Sequence, residues 1–502
     1  MIKFVTFASE IRAHALLCSS AAVLLTACGG SSVDEPLLSA AKQQTQTAGT
    51  MAINQAPAQS GISLQAAVQQ SDVAASSLSA TADLADPDNP SAQAAGPEQF
   101  AITGYGAGDS TPDAATNVSY GGVNQMAPSA DAAVSAGNTR AMAAPAGDAI
   151  VTPATTYKVY VAPNGSDTAA GSASAPFKTL ARAAKAARAS TTVYVAPGTY
   201  AGGVKTTVHG TASARIYYVS TTKWGARIVP PASSSGDFAW DNRGNYVDII
   251  GFRIDGSVSQ SGKKWTHGIY NGGSYDMIRS NWVHNIAKSV PCTSAGGSAI
   301  GVDSYYRGIK SDVVGNLVHD IGPAGCRFVQ GIYISTSGSV KNNVVYRVAE
   351  GAIHLWHDAN NVIITNNTVT TSNTGIIVGG GDFYFTSGPN DYTAVYSNIV
   401  YDNKMGISEQ GKTGRNNSYR NNLVYQNPTY NFKLNNGLTH TGTVTSAPLL
   451  VNYTRTGTPN LSLTSSSPAI GRGTSTHALS YDFNERPRNA STGYDIGAYQ
   501  HY

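Results

Sequence analysis

The C-terminal half of the chain repeats one short pattern of apolar and polar positions. A small residue followed by Ile opens each unit, at Gly268-Ile269, Ala299-Ile300, Gly331-Ile332, Ala352-Ile353, Gly375-Ile376 and Gly406-Ile407. Each pair is followed by an Asn with a Val two positions on: Asn281, Asn316, Asn343, Asn367, Asn398 and Asn422, spaced 35, 27, 24, 31 and 24 residues apart. Short β-branched segments, Asn and Gly at the breaks and a period in the twenties predict a solenoid of coils. No helical period runs through the unit, so the solenoid is a parallel β-helix.

Within such a coil the side chains alternate in and out, and neighbouring coils stack at about 4.8 Å. Each Ile is expected inside and its neighbours outside. The residues after the Ile form one outward column: Tyr270, Gly301, Tyr333, His354, Ile377 and Ser408. Two further on, a second column reads Gly272, Asp303, Ser335, Trp356, Gly379 and Gln410. The repeated Asn is expected at the turns, where Asn tolerates left-handed backbone and can hydrogen-bond its copy in the next coil. Such a ladder is structural and receives no catalytic role.

The first residues are of another kind. Lys3 and Arg12 precede a short apolar run, Ala13 to Ala27, too short for a permanent bilayer span. The run ends Leu25-Thr26-Ala27-Cys28-Gly29, which resembles the lipobox of bacterial lipoproteins. That resemblance implies a signal peptide over 1–27, lipidation of Cys28 and, with Gly29 next, an outer-membrane address. Residues 28–155 are rich in Ala, Ser, Gln and Gly, with no strand or helix period. They cannot bury enough apolar surface to offset chain entropy and are expected to be a disordered tether spanning roughly 60 Å. The third region, 156–502, is the folded domain.

Charge is divided unevenly between these regions. Of 33 Lys+Arg, four precede residue 156; of 30 Asp+Glu, twelve do, so the folded domain carries about +11 while the whole chain carries +3. A basic domain on a mildly acidic leash points to a polyanionic partner. The expected partner is an acidic polysaccharide rather than nucleic acid, bound by a monomer that reaches the membrane through Cys28.

The folded domain opens with a strand at Lys158–Val161, a turn over Ala162–Asp167, an Ala-rich helix within 176–188 and a second strand at Thr191–Val195. The strings Tyr-Val-Ala-Pro-Asn-Gly-Ser-Asp, Pro-Phe-Lys-Thr-Leu and Val-Tyr-Val-Ala-Pro-Gly-Thr-Tyr lie in this stretch. They resemble the N-terminal cap of pectate-lyase-like right-handed parallel β-helix proteins. The end of the chain, with Asp482, Pro487 and Tyr494-Asp-Ile-Gly-Ala-Tyr499, is similar to the closing segment of that superfamily. The resemblance covers about 157–502 and implies an all-β, right-handed solenoid with a short capping helix. A cap is what an uncovered terminal coil needs.

Two of the four cysteines, Cys292 and Cys326, fall 11 and 10 residues after Asn281 and Asn316. They therefore occupy nearly equivalent places on adjacent coils, and export permits a disulfide between them.

The chemically rich residues concentrate on the middle coils. Tyr333 and His354 are expected side by side in one column and, with Arg327, form the catalytic candidates. Tyr270, Asp303, Arg307, Glu350, Trp356, His357 and Lys264 are the substrate-binding candidates. No metal site is expected and no cofactor is required, although calcium stays open as an alternative. The expected activity is a polysaccharide lyase acting on a uronate-containing polymer by β-elimination. That reaction needs a base for the proton α to the carboxylate, a cation for the enolate and an acid for the leaving oxygen. The sequence departs from the calcium-dependent pectate lyases of this fold, lacking their clustered aspartates and a lysine in the column. Two alternatives stand beside it: a glycoside hydrolase using Glu350 with Asp303 or Asp358, which needs paired carboxylates, and a non-catalytic glycan-binding protein.

Overall fold

The computed structural model describes residues 154–231, 237–257, 265–294 and 296–502. The expected signal peptide, Cys28, the tether and Lys264 lie outside the described residues.

Every repeat of the sequence becomes one coil with three short strands, and like strands pair in parallel from coil to coil. An eleven-stranded sheet runs from Tyr157–Val161 to His440–Thr441, and two nine-stranded sheets run alongside it. One of these, from Val204–Thr206 to Phe432–Lys433, carries the small-residue-plus-Ile strands and is called the site sheet here. The third runs from Gly198–Ala201 to Leu423–Tyr425. With the crossover preference of parallel strands, this is a right-handed parallel β-helix.

The interior follows from the alternation. Ile269, Ile300, Ile332, Ile353, Ile376 and Ile407 pair in register along the site sheet. Ile249, Ile278, Val313, Val340, Ile364 and Val395 do the same on the eleven-stranded sheet. All are fully buried in one continuous core. Stacking like on like keeps each β-branched side chain in contact with its copy, so the coil needs no long-range pairing beyond its neighbour.

The Asn ladder is present, displaced by one residue from the expected conformation. The left-handed residue of each turn precedes the ladder Asn: Ser280, Gly315, Asn342, Asn366, Ser397 and Asn421 have φ between 53° and 63°. The ladder residues themselves turn inward. Each Asn carboxamide accepts from the backbone N–H and side-chain amide of the previous Asn, as in Asn281 to Asn316 at 2.9 and 3.1 Å. Each amide also reaches a carbonyl one coil back, as Asn343 does to Val313 at 2.9 Å. An inward Asn satisfies turn N–H and C=O groups that would otherwise be buried unpaired, at about 1–3 kcal/mol each.

The capping helix is shorter than expected, Leu180–Ala186. Thr179 caps it by accepting from the N–H of Arg182, and Asp167 accepts from both Lys178 and Thr179 N–H groups, which holds Pro176–Lys178 extended before the first turn. Leu180, Ala183 and Ala184 face the first coil. The final segment runs back along the outside of the third sheet, where Phe483, Ala498 and Tyr499 pack on Leu317, Val344 and Tyr346. Cys292 and Cys326 form the expected disulfide, with 5.5 Å between their Cα atoms, joining turns of adjacent coils.

Candidate functional site

The outward column of the site sheet is built as the alternation requires. Tyr270, Gly301, Tyr333, His354, Ile377 and Ser408 are successive register partners. It extends one coil further back, to Asp241 beside Tyr270, on a coil that carries Trp240 in place of the Ile. The column is not solvent-facing throughout, as the alternation had suggested. Tyr270, Ile377 and Ser408 are buried. The rings around it account for this at Tyr270, which meets Phe238, His267 and Tyr306.

Tyr333 and His354 meet edge to face with ring centroids 5.5 Å apart. His354 keeps partial exposure as a residue, but both its ring nitrogens are buried and neither has a hydrogen-bond partner among the described residues. Burial, with the nearby His357 adding to it, pushes the imidazole down to about 3, so it is neutral at physiological pH. Burial also drives the Tyr333 phenol well above its ordinary range, reinforced by Tyr384, Asp303 and Asp382. Both groups rest in the uncharged, proton-bearing state.

Gly301 leaves a gap between Tyr270 and Tyr333, two coils or about 10 Å apart. A Cβ there would come within 2.9 Å of Ser298 Oγ. At the gap's edge, Asp303 accepts from the Tyr270 hydroxyl at 3.0 Å, from Ser335 at 2.7 Å and from the Tyr305 N–H. Its carboxylate therefore fixes the rim of the gap and caps the short helical turn Ser304–Tyr306. Arg243 lies over the Tyr306 ring at 3.3 Å and the Tyr270 ring at 4.7 Å, with its Nη1 buried and unpaired.

The other wall is a segment the repeat pattern did not single out, residues 381–391 between the strands Thr374–Gly380 and Ala394–Tyr396. Asp358 holds it by accepting from the N–H groups of Tyr384, Phe385 and Thr386 and from the Thr386 hydroxyl. His357 bonds the Asp382 carbonyl and the Tyr384 hydroxyl, both at 2.8 Å, and stacks on the Tyr384 ring. Trp356 donates to Asp382 at 3.2 Å. One side of its indole rests on glycine backbone: a Cβ on Gly379, Gly381 or Gly411 would approach the ring to 2.7, 2.6 or 2.8 Å. The glycines and Asp382 take much of its surface, and Trp356 is half-buried. Phe385 is the exposed aromatic here, with the Arg307 guanidinium 4.2 Å over its ring.

The remaining candidates sit to one side. Glu350 accepts from Asn373 at 2.7 Å and Thr374 at 3.1 Å, and burial raises its carboxyl above the ordinary range. Arg327 is exposed over Phe328, near enough for its charge to act on Glu350. Tyr333, His354, Trp356 and His357 are thus brought together with Tyr384 and Asp382. Tyr270, Asp303 and Arg243 form the adjoining group, and Glu350 with Arg327 flank from the opposite turn. Among the described residues, no group of three or more His, Cys, Asp or Glu is placed to hold a metal. Arg243 and Tyr306 escaped the sequence reading, though Ala239-Trp240 before Arg243 keeps the small-then-large signal.

The family described as a protein of unknown function, DUF1565, matches residues 163–207, the cap and first coil. No curated protein matches the chain in sequence. Similar solved structures include a pectate lyase, Pel9A, at 16% identity, covering 69% of this chain and 97% of that one with a TM-score of 0.47. A rhamnogalacturonan lyase is 16% identical, covering 62% and 95%, with a TM-score of 0.38. The A-module of the Azotobacter vinelandii mannuronan C-5 epimerase AlgE4 is 14% identical, covering 51% and 66%, with a TM-score of 0.34. The fold itself rests on the chain's own three sheets and their register.

Proposed function

We propose that this protein is a carbohydrate-active enzyme, a polysaccharide lyase that cleaves a uronate-containing polymer at the Tyr333–His354 pair. The observation that carries the reading is the His354 imidazole, neutral, with both nitrogens unpaired, beside a protonated Tyr333 on an aromatic-walled face. A buried polar group without a partner is costly, and a bound sugar offers the missing hydrogen bonds.

In the unliganded site neither group titrates near neutrality, so neither is yet poised for proton transfer. An anionic sugar changes that. Its carboxylate beside His354 stabilises the imidazolium and raises the imidazole from about 3 towards the working range. His354 then takes the proton α to the carboxylate, the C4–O bond breaks as the C4=C5 double bond forms, and Tyr333 gives its proton to the leaving oxygen. Arg327 and Arg307 supply positive charge at the two rims. Binding and activation are thus linked through the substrate's own charge.

The hydrolase alternative is less well supported. Asp303, Asp358 and Glu350 all spend their oxygens on rim, segment and turn hydrogen bonds, leaving no opposed pair ready for acid–base work. The lipobox resemblance and basic folded domain fit an exported, lipid-anchored protein whose tether carries the β-helix to an acidic glycan.

The test is a panel of acidic and neutral polysaccharides, read by the ultraviolet absorbance of unsaturated uronate ends and by reducing ends. New absorbance on acidic polymers supports the lyase. Reducing ends without absorbance indicate a hydrolase, and binding with neither signal indicates a glycan-binding protein.

A further inference from the structure

The site sheet changes character on the C-terminal side of His354. The strands Thr374–Gly380 and Met405–Gly411 end in glycine, and Gly381 follows the first of them. Glycine inside or at the end of a strand weakens it, and its presence marks a place where something approaches the backbone closely. Here the approaching group is one side chain from the preceding coil, the Trp356 indole.

Three glycines meet the six-membered ring of that indole at different points. A Cβ on Gly379 would come within 2.7 Å of Cε3, one on Gly381 within 2.6 Å of Cζ2 and one on Gly411 within 2.8 Å of Cη2. At Gly379 and Gly411 a Cβ would also meet backbone, the Leu355 and Gly380 carbonyls. At Gly381 the three nearest atoms all belong to the indole, and its φ lies outside the left-handed region. Gly381 is therefore glycine on account of Trp356.

The nitrogen edge of the indole is fixed as well. Nε1 donates to Asp382 at 3.2 Å, and the Asp382 carbonyl is bonded by His357 at 2.8 Å. Trp356 is still half-buried rather than buried. With the backbone side and the nitrogen edge both taken, the remaining exposure belongs to the side turned away from the glycines. That side adjoins the reacting pair, since the His354 and Trp356 ring centroids are 5.9 Å apart. An aromatic surface held this way loses little freedom when a ligand packs on it. The apolar C–H face of a pyranose is such a ligand.

We infer that the outward side of Trp356 is a stacking subsite for a pyranose ring, with Gly379, Gly381 and Gly411 as its positioning residues. The indole reaches glycines one and two coils beyond His354, about 5–10 Å along the solenoid axis. The subsite therefore takes the sugar next to the one at Tyr333–His354, on the side of the C-terminal coils. The identity of the polymer, a uronate chain, rests on the lyase reading; the stacking does not.

The test is a double-mutant cycle on the full-length protein, read by calorimetric binding of oligosaccharides prepared from polygalacturonate and from alginate. Trp356→Ala and Gly381→Ala should each weaken binding by about 3–10-fold. The double variant should bind no more weakly than Trp356→Ala, because Gly381→Ala acts only by displacing the indole. Where cleavage is measurable, KM should rise with kcat little changed. Thermal unfolding checks that each variant folds, and Trp356→Phe replaces Trp356→Ala in the cycle if the latter does not. Wild-type affinity in Gly381→Ala overturns the inference, as do losses that add in the double variant. Binding without cleavage, with the cycle as expected, removes the lyase reading and leaves the subsite. Cleavage with both single variants at wild-type KM removes the subsite and leaves the lyase. Wild type that binds neither preparation overturns both.

Discussion

At the scale of single residues, outward position and chemical availability are different properties. The period-2 pattern placed Tyr333 and His354 on one face and adjacent coils, and the register has them there. It could not tell that Asp303 would be consumed by Tyr270, Ser335 and the Tyr305 N–H, because those partners come from the two neighbouring coils and a turn. His354 gives the sharpest residue-scale prediction. Its ordinary value of 6.5 falls to about 3 in the folded chain. The unfolded chain therefore takes up the proton first, and the neutral imidazole's contribution is complete above pH 6.5. That contribution is lost as pH falls from 6.5 towards 3, by up to about 1.4 kcal/mol per pH unit. His354→Gln should flatten this part of the stability-against-pH curve while lowering turnover by about 100-fold or more. Chemical denaturation at several pH values measures the first effect and steady-state kinetics the second. An unchanged acid slope would mean that the ring is not buried in its neutral form.

At the scale of elements, coil strands were readable and the excursions between them were not. Strand identity comes from stacking a residue on its own copy, which a one-dimensional repeat records faithfully. The excursions appear in sequence only as unequal spacing. The coil from Asn367 to Asn398 has 31 residues where that from Asn343 to Asn367 has 24, and the surplus falls within the segment 381–391 that walls the site. Its composition gave no warning, because it is fixed by Asp358 and His357 from the previous coil rather than by any local pattern. Likewise the ladder Asn was legible but its conformation was not, since the left-handed residue and the inward amide are neighbours in a two-residue turn. Asp358→Ala removes the acceptor for Tyr384, Phe385 and Thr386 N–H groups together. Hydrogen exchange should then rise across 383–388 with little change in the coil strands, and KM should rise more than kcat falls. Protection in that segment equal to wild type would show that the Arg307–Phe385 and Lys412–Ser387 contacts hold it without Asp358.

At the scale of the whole molecule, sequence composition and fold suggest a division of labour that no single residue reveals. The about +11 of the folded domain is masked in the chain total by twelve acidic residues in the first 155. If the first residues are a lipoprotein signal, membrane attachment resides in Cys28 alone, because a run as short as Ala13–Ala27 does not hold a chain in a bilayer. A basic β-helix could add a second, salt-sensitive attraction to an anionic surface, and the two contributions separate experimentally. Lipid anchoring survives high salt, whereas charge attraction between exposed groups is screened within about 10 Å at 0.1 M salt and less above it. Cys28→Ser should therefore yield protein that leaves the membrane fraction completely in a high-salt wash, while wild type stays until detergent is added. Acidic-polysaccharide binding by the released protein should match that of detergent-solubilised wild type. Retention of Cys28→Ser on washed membranes would remove the lipid from the account and make the apolar leader, or the β-helix itself, the means of attachment.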